Sequence, residues 1–263
     1  MRRSTVWPGP LTRGLMLVTR MHLIALPLAF VAACSSGATT PHRLTGSGIA
    51  PAVFGVLEIP SSPGPHAAVL LLPGSYGWRP DYARFARDFA DSGFVALAID
   101  YYAETGRGAS PAEESRHWPA WQATVRNAVA YLQAMPAVAG RPIGLVGYSR
   151  GAFLAISVAG SGPPIRAVVD FYGGGSDADP PEDQIAHFPP VLILHGEADS
   201  VVPVALAHRL YERMRAHGGD VEMHLYPGAQ HVFNAPWAPG YSETDATDAW
   251  RRTIAFLRHR LAE

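Results

Sequence analysis

Three short stretches in the second half of the chain carry side chains that could act on one another. Residues 145–157 read LVGYSRGAFLAIS, an apolar run, then Gly147-Tyr148-Ser149-Arg150-Gly151, then a helix-forming segment. A serine hydroxyl is a weak nucleophile. It needs a base to take its proton and an acid to orient that base. His231, in LYPGAQHVF, and Asp199, in LILHGEADSVVP, each follow a short apolar run of the same kind. In such a set Ser149 attacks a carbonyl carbon, His231 carries the proton, and Asp199 fixes the imidazole. Asp170, closing the run AVVD, competes for the acid role, and Asp199 could instead cap a helix starting near Pro203. The loop position of Asp199 favours it as the acid. His195, at the end of a strand, reads as structural.

An attacked carbonyl leaves an oxyanion, which two convergent backbone N–H groups can stabilise. Arg150, immediately after the serine, is expected to supply one. Ser75, within Gly74-Ser75-Tyr76-Gly77-Trp78, is expected to supply the other, with Tyr76 as second choice. Tyr76, Trp78, Trp118 and Trp237 are the expected substrate-binding aromatics, with core packing as the competing reading of each. All 21 basic residues are arginine and there is one cysteine, Cys34. A Ser–Lys dyad, a Schiff-base lysine and a cysteine-cluster metal site are thereby excluded. No metal and no cofactor is expected.

The elements around these residues must bring them together. HAAVLLLP, FVALAID, PIGLVGYS, IRAVVDFYG, PVLILHG and VEMHLYP are short apolar runs ending in turn signals, the pattern of buried strands. Helical segments alternate with them: DYARFARDFADSG, WPAWQATVRNAVAYLQAM after a loop from Tyr101 to about His117, RGAFLAISVAG, a helix over 203–217, and one from about Glu243 with Ser242 as N-cap. This alternation predicts an α/β domain with a mostly parallel central sheet and helices on both faces. Successive loops would then bring Ser149, Asp199 and His231 to one edge of the sheet. The loops 101–118 and 173–188 are expected to shape the pocket.

The N-terminus reads as an address. Residues 21–34, MHLIALPLAFVAAC, follow Arg20 and end in small residues. This fits a secretory signal, and Val31-Ala32-Ala33-Cys34 has the form of a bacterial lipobox. We therefore expect a lipoprotein-type signal peptide over 1–33, lipidation at Cys34, a flexible tether over 34–48, and a folded domain over 49–263. The protein would be exported to the bacterial cell envelope and held to a membrane by its lipid. Beyond residue 33 the chain carries 17 basic and 22 acidic residues, so nucleic acid is not an expected partner. The expected partner is a small acyl substrate. Nothing in the sequence speaks to oligomeric state.

G-x-S-x-G between a strand and a helix is the nucleophile elbow of α/β-hydrolases, whose partners follow in the order Ser, Asp, His. Over about residues 50–262 the chain resembles the dienelactone hydrolase family, through LLPGSYGW, DSGFVALAIDYY, IGLVGYSRGA, LILHGEADSVVP and YPGAQHVF. The resemblance implies a small, nearly lidless α/β-hydrolase with the triad Ser149, Asp199 and His231. It also brings departures. The founding members carry cysteine where Ser149 stands and an acidic residue at the position of Gly74. Where Ala235 stands they have an arginine that grips a substrate carboxylate. A serine hydrolase acting on an ester, lactone or related acyl bond is the function this implies. A peptidase, amidase or acyl thioesterase on the same fold and a non-catalytic envelope binding protein are the alternatives.

Overall fold

The computed structural model describes residues 42–44, 53–160, 164–175 and 180–262. The expected signal peptide and Cys34 lie outside them. The described chain forms an eight-stranded sheet in the order β1-β2-β4-β3-β5-β6-β7-β8. The strands are β1 (His42–Arg43), β2 (Phe54–Glu58), β3 (Ala68–Leu72), β4 (Val95–Ile99), β5 (Ile143–Tyr148), β6 (Ile165–Phe171), β7 (Val191–Gly196) and β8 (Val221–Tyr226). β1 pairs antiparallel with β2, and β2 antiparallel with β4, at one edge; every pairing from β4 onward across the sheet is parallel. β3, β4, β5 and β7 are buried at every position, which is why they read as continuous apolar runs rather than alternating ones.

Among the described residues five α-helices cover the sheet: α1 (Pro80–Asp91), α2 (Pro111–Ala134), α3 (Arg150–Ala159), α4 (Ala205–Ala216) and α5 (Glu243–Arg260). Side chains alternate across each strand and feed two separate cores. Leu70, Leu97, Leu145 and Ile193 point toward Trp121, Leu154 and Leu210 of α2, α3 and α4. Val69, Ala96, Val146 and Leu192 point toward Phe89, Ile254 and Leu257 of α1 and α5. The expected α/β-hydrolase architecture, with helices on both faces, is what forms.

Two expectations are corrected. The segment read as a loop up to His117 is helical from Pro111. Ser110 caps it, its hydroxyl accepting from the Glu113 amide at 3.3 Å, and Pro111 occupies the first turn, where its missing N–H costs nothing. The helix runs through Pro119, because Trp121, Val125 and Leu132 beyond it are fully buried. Within the expected tether, 34–48, residues 42–44 join the sheet. His42 and Arg43 pair with Gly55 and Phe54, and the Leu44 amide donates to the Val53 carbonyl at 2.8 Å. No helix among the described residues is long and apolar enough to cross a membrane.

Candidate active site

β5 ends at Tyr148 and α3 begins at Arg150, so Ser149 alone makes the turn between them. Its φ of 52° and ψ of −120° lie where side-chain-bearing residues are strained. A Cβ at position 147 would stand 2.4 Å from Ala152 Cα, and one at position 151 would stand 2.1 Å from the Leu72 carbonyl oxygen. Only glycine fits at either place. The Ser149 amide donates to the Phe171 carbonyl at 2.9 Å, tying the turn to β6.

The loops after β7 and β8 bring the other two groups to the serine. His231 Nε2 lies 3.0 Å from Ser149 Oγ, and His231 Nδ1 lies 2.7 Å from Asp199 Oδ2. A carboxylate only accepts, so Nδ1 carries the ring proton and Nε2 presents its lone pair to the hydroxyl. The other oxygen, Asp199 Oδ1, accepts from the amides of Val201 and Val202 at 2.8 and 2.9 Å. Burial alone would raise the Asp199 pKa. The hydrogen bonds from His195, His231 and Val202 outweigh it and hold the carboxyl well below the usual carboxylate range. Asp199 is thus a fixed anion beside the imidazole.

Asp170, the competing acid, is fully buried at the end of β6 and accepts from the Gly173 amide at 2.8 Å; it makes no hydrogen bond to His231. His195 is also fully buried. Its Nε2 donates to the Val202 carbonyl at 2.9 Å and lies 3.4 Å from Asp199 Oδ2. It therefore braces both the acid and the loop that holds it, a contact the sequence reading missed.

Ser75 and Arg150 line, with Ser149, a cavity of about 440 Å³. The loop carrying Ser75 is pinned from several sides. Tyr101 donates to the Pro73 carbonyl at 2.7 Å, Tyr102 to the Gly74 carbonyl at 3.2 Å, and Arg107 to the Tyr76 carbonyl at 3.1 Å. The Gly74 amide donates to the Tyr82 hydroxyl at 3.0 Å and is thereby engaged. Neither the Ser75 nor the Arg150 amide donates to another backbone group among the described residues.

Of the four expected substrate-binding aromatics, Trp118 lines this cavity and the other three do not. Trp78 packs against Tyr82, with ring centroids 6.1 Å apart, and belongs with the core. Tyr76, 63% exposed, meets Trp237 edge-on at 5.5 Å, and the Arg79 guanidinium stacks over Trp237 at 3.9 Å. The walls the sequence reading missed are Phe153, Val201 and Val202. Phe153 had a signal: it lies one helical turn beyond Ser149 on α3. Among the described residues no cluster of side chains could hold a metal ion.

A mostly parallel sheet with helices on both faces and a serine at a strained strand–helix turn defines an α/β-hydrolase. Residues 53–261 match the Dienelactone hydrolase family, and the chain belongs to it. A Bradyrhizobium protein provisionally named 2-oxo-3-(5-oxofuran-2-ylidene)propanoate lactonase is 31% identical over 209 residues, covering 74% of this chain and 84% of its own. A Methylorubrum extorquens protein provisionally named carboxymethylenebutenolidase is 28% identical over 278 residues, covering 97% of this chain and 96% of its own. The crystal structure of a Klebsiella pneumoniae protein provisionally assigned as a dienelactone hydrolase superposes with a TM-score of 0.69. It is 22% identical and covers 82% of this chain and 95% of that one.

Proposed function

We propose that this hydrolase uses Ser149 as its nucleophile and cleaves a carboxylic ester or lactone through an acyl-enzyme. The observation that carries the reading is the unbroken line from Asp199 through His231 to Ser149, at 2.7 and 3.0 Å, beside two amides without backbone acceptors. His231 Nε2 takes the hydroxyl proton as Ser149 Oγ attacks the carbonyl carbon. The Ser75 and Arg150 amides receive the oxyanion, whose charge also faces the N-terminal end of α3. Asp199 stabilises the imidazolium, which then protonates the leaving alcohol. Water, deprotonated by His231, attacks the acyl-serine and frees the acid. The names of the two relatives point to a lactone, itself a cyclic ester, as the bond class.

Ser149→Ala should lower kcat on p-nitrophenyl esters by roughly 10,000-fold or more with the circular dichroism spectrum unchanged. A fluorophosphonate should label wild-type protein at Ser149 alone. Wild-type turnover by Ser149→Ala would refute the assignment. We further propose, from residues 21–34, that the chain is exported and anchored through a lipid on Cys34. Cys34→Ser should move the protein from the membrane to the soluble fraction of cells expressing the full chain.

A further inference from the structure

We propose that the cavity takes neutral, apolar acyl groups and discriminates against acyl groups bearing a carboxylate, and that Glu114 enforces this by occupying Arg150. The inference rests on the hydrolase reading above and names the substrate class of the same site. The cavity, at about 440 Å³, is of small-molecule size, and besides Ser75, Ser149 and Arg150 its lining is apolar: Trp118, Phe153, Val201 and Val202. Arg150 is the one charged side chain among its described lining residues. A guanidinium one residue from the nucleophile would by itself invite a carboxylate, whose two oxygens match its fork of donors.

One arm of that fork is already engaged, and its charge is balanced. Arg150 Nη2 lies 2.6 Å from Glu114 Oε1, and the guanidinium carbon lies 6.0 Å from the centroid of the Trp121 ring. Glu114, Trp118 and Trp121 follow one another at i, i+4 and i+7 and share a face of α2, which seats the guanidinium. Glu114 also lies in the first turn of α2, where the helix dipole favours an anion. A carboxylate-bearing acyl group would meet Glu114 as a like charge and Arg150 as a cation already spoken for.

Among the described lining residues no second cation stands in for it. Arg107 is committed to the Ser75 and Tyr76 carbonyls, and Arg79 stacks on Trp237 outside the cavity lining. Ala235, where the resemblance led one to look for a carboxylate-gripping arginine, is a buried alanine. An anionic acyl group would therefore be desolvated among apolar walls without a partner.

The test is a matched pair of four-carbon acyl esters, ethyl butyrate and monoethyl succinate, followed by pH-stat titration, each rate divided by the rate of alkaline hydrolysis of the same ester. Wild-type kcat/KM should favour butyrate by at least about tenfold, the worth of one charge-assisted hydrogen bond. Glu114→Gln and Glu114→Ala should each shrink that ratio by about tenfold. Adding Arg150→Ala to either should restore it. Because the ratio compares two substrates on one preparation, partial unfolding of a variant cancels. Equal wild-type rates on both esters, or a ratio unmoved in the Glu114 variants, would overturn the inference while leaving the hydrolase reading intact. Failure on both esters, without fluorophosphonate labelling of Ser149, would bring down the hydrolase reading and this inference with it.

Discussion

Ser149 occupies a backbone conformation that costs about 1–3 kcal/mol for a residue with a side chain, and the surrounding turn enforces it. Alanine at this position inherits the strain; glycine escapes it. Ser149→Gly should therefore melt at a higher temperature than Ser149→Ala, although glycine ordinarily costs about 0.5–1 kcal/mol more than alanine. Differential scanning calorimetry of the two inactive variants reads this directly, and a lower melting point for the glycine variant would mean the strain is absent. Asp199 makes a different demand, that its oxygen next to His231 only accept. Asparagine can present its NH2 there and force the proton onto Nε2, leaving Ser149 without a base. Asp199→Asn should lower kcat by roughly 10,000-fold with little change in KM, measured on p-nitrophenyl butyrate. The three positions of the proposed triad were legible because G-x-S-x-G and two strand-end loops mark them. The brace from His195 was not, because contact between a strand-end histidine and a carboxylate four residues on depends on how the loop after β7 folds back.

At the scale of elements, the turn between β5 and α3 works because α3 packs against the end of β3. A methyl group at position 151 would meet the Leu72 carbonyl oxygen, which is backbone and cannot rotate away. Gly151→Ala should cost about 3 kcal/mol in urea unfolding and lose activity in parallel, since the same shift displaces the Arg150 amide. The strands were readable as elements because burial on both faces leaves only apolar residues in them. The start of α2 was harder. Its signals were present: Ser110 capping the Glu113 amide, Glu113 reaching back to the Ala109 amide at 2.7 Å, and Pro111 in the first turn. Pro119 masked them, since an interior proline ordinarily ends a helix. That misreading hid Glu114, and with it the neutralisation of Arg150. The aromatic residues show a second limit. Trp78 and Trp118 are the same residue type in similar local company, and only the packing of α1 and α2 sends one to the core and the other to the cavity.

Among the described residues the buried ionisable groups, Asp170, His195 and Asp199, gather at one edge of the sheet. β5, β6 and β7 lie side by side and end near the site, so Ser149, Asp170 and the loop carrying Asp199 are neighbours by topology. Burial drives the Asp170 pKa up to about 6, against an ordinary value of 3.8. The folded state therefore binds a proton more tightly there than the unfolded chain does. Between about pH 4 and pH 6 the native protein holds the proton that the unfolded chain has released, and stability falls as pH rises through that window. The loss is on the order of a few kcal/mol. Asp199 acts with the opposite sign and in a different range. Its depressed pKa contributes stability above the ordinary carboxylate range, lost only as pH falls toward the folded-state value. Asparagine at position 170 keeps an oxygen for the Gly173 amide and has nothing to ionise. Asp170→Asn should therefore gain on wild type progressively from pH 4 to pH 6.5 and stay ahead at higher pH, in urea denaturation at each pH. An unchanging difference between the two proteins across that range would mean that Asp170 ionises in the folded protein as easily as in the unfolded one.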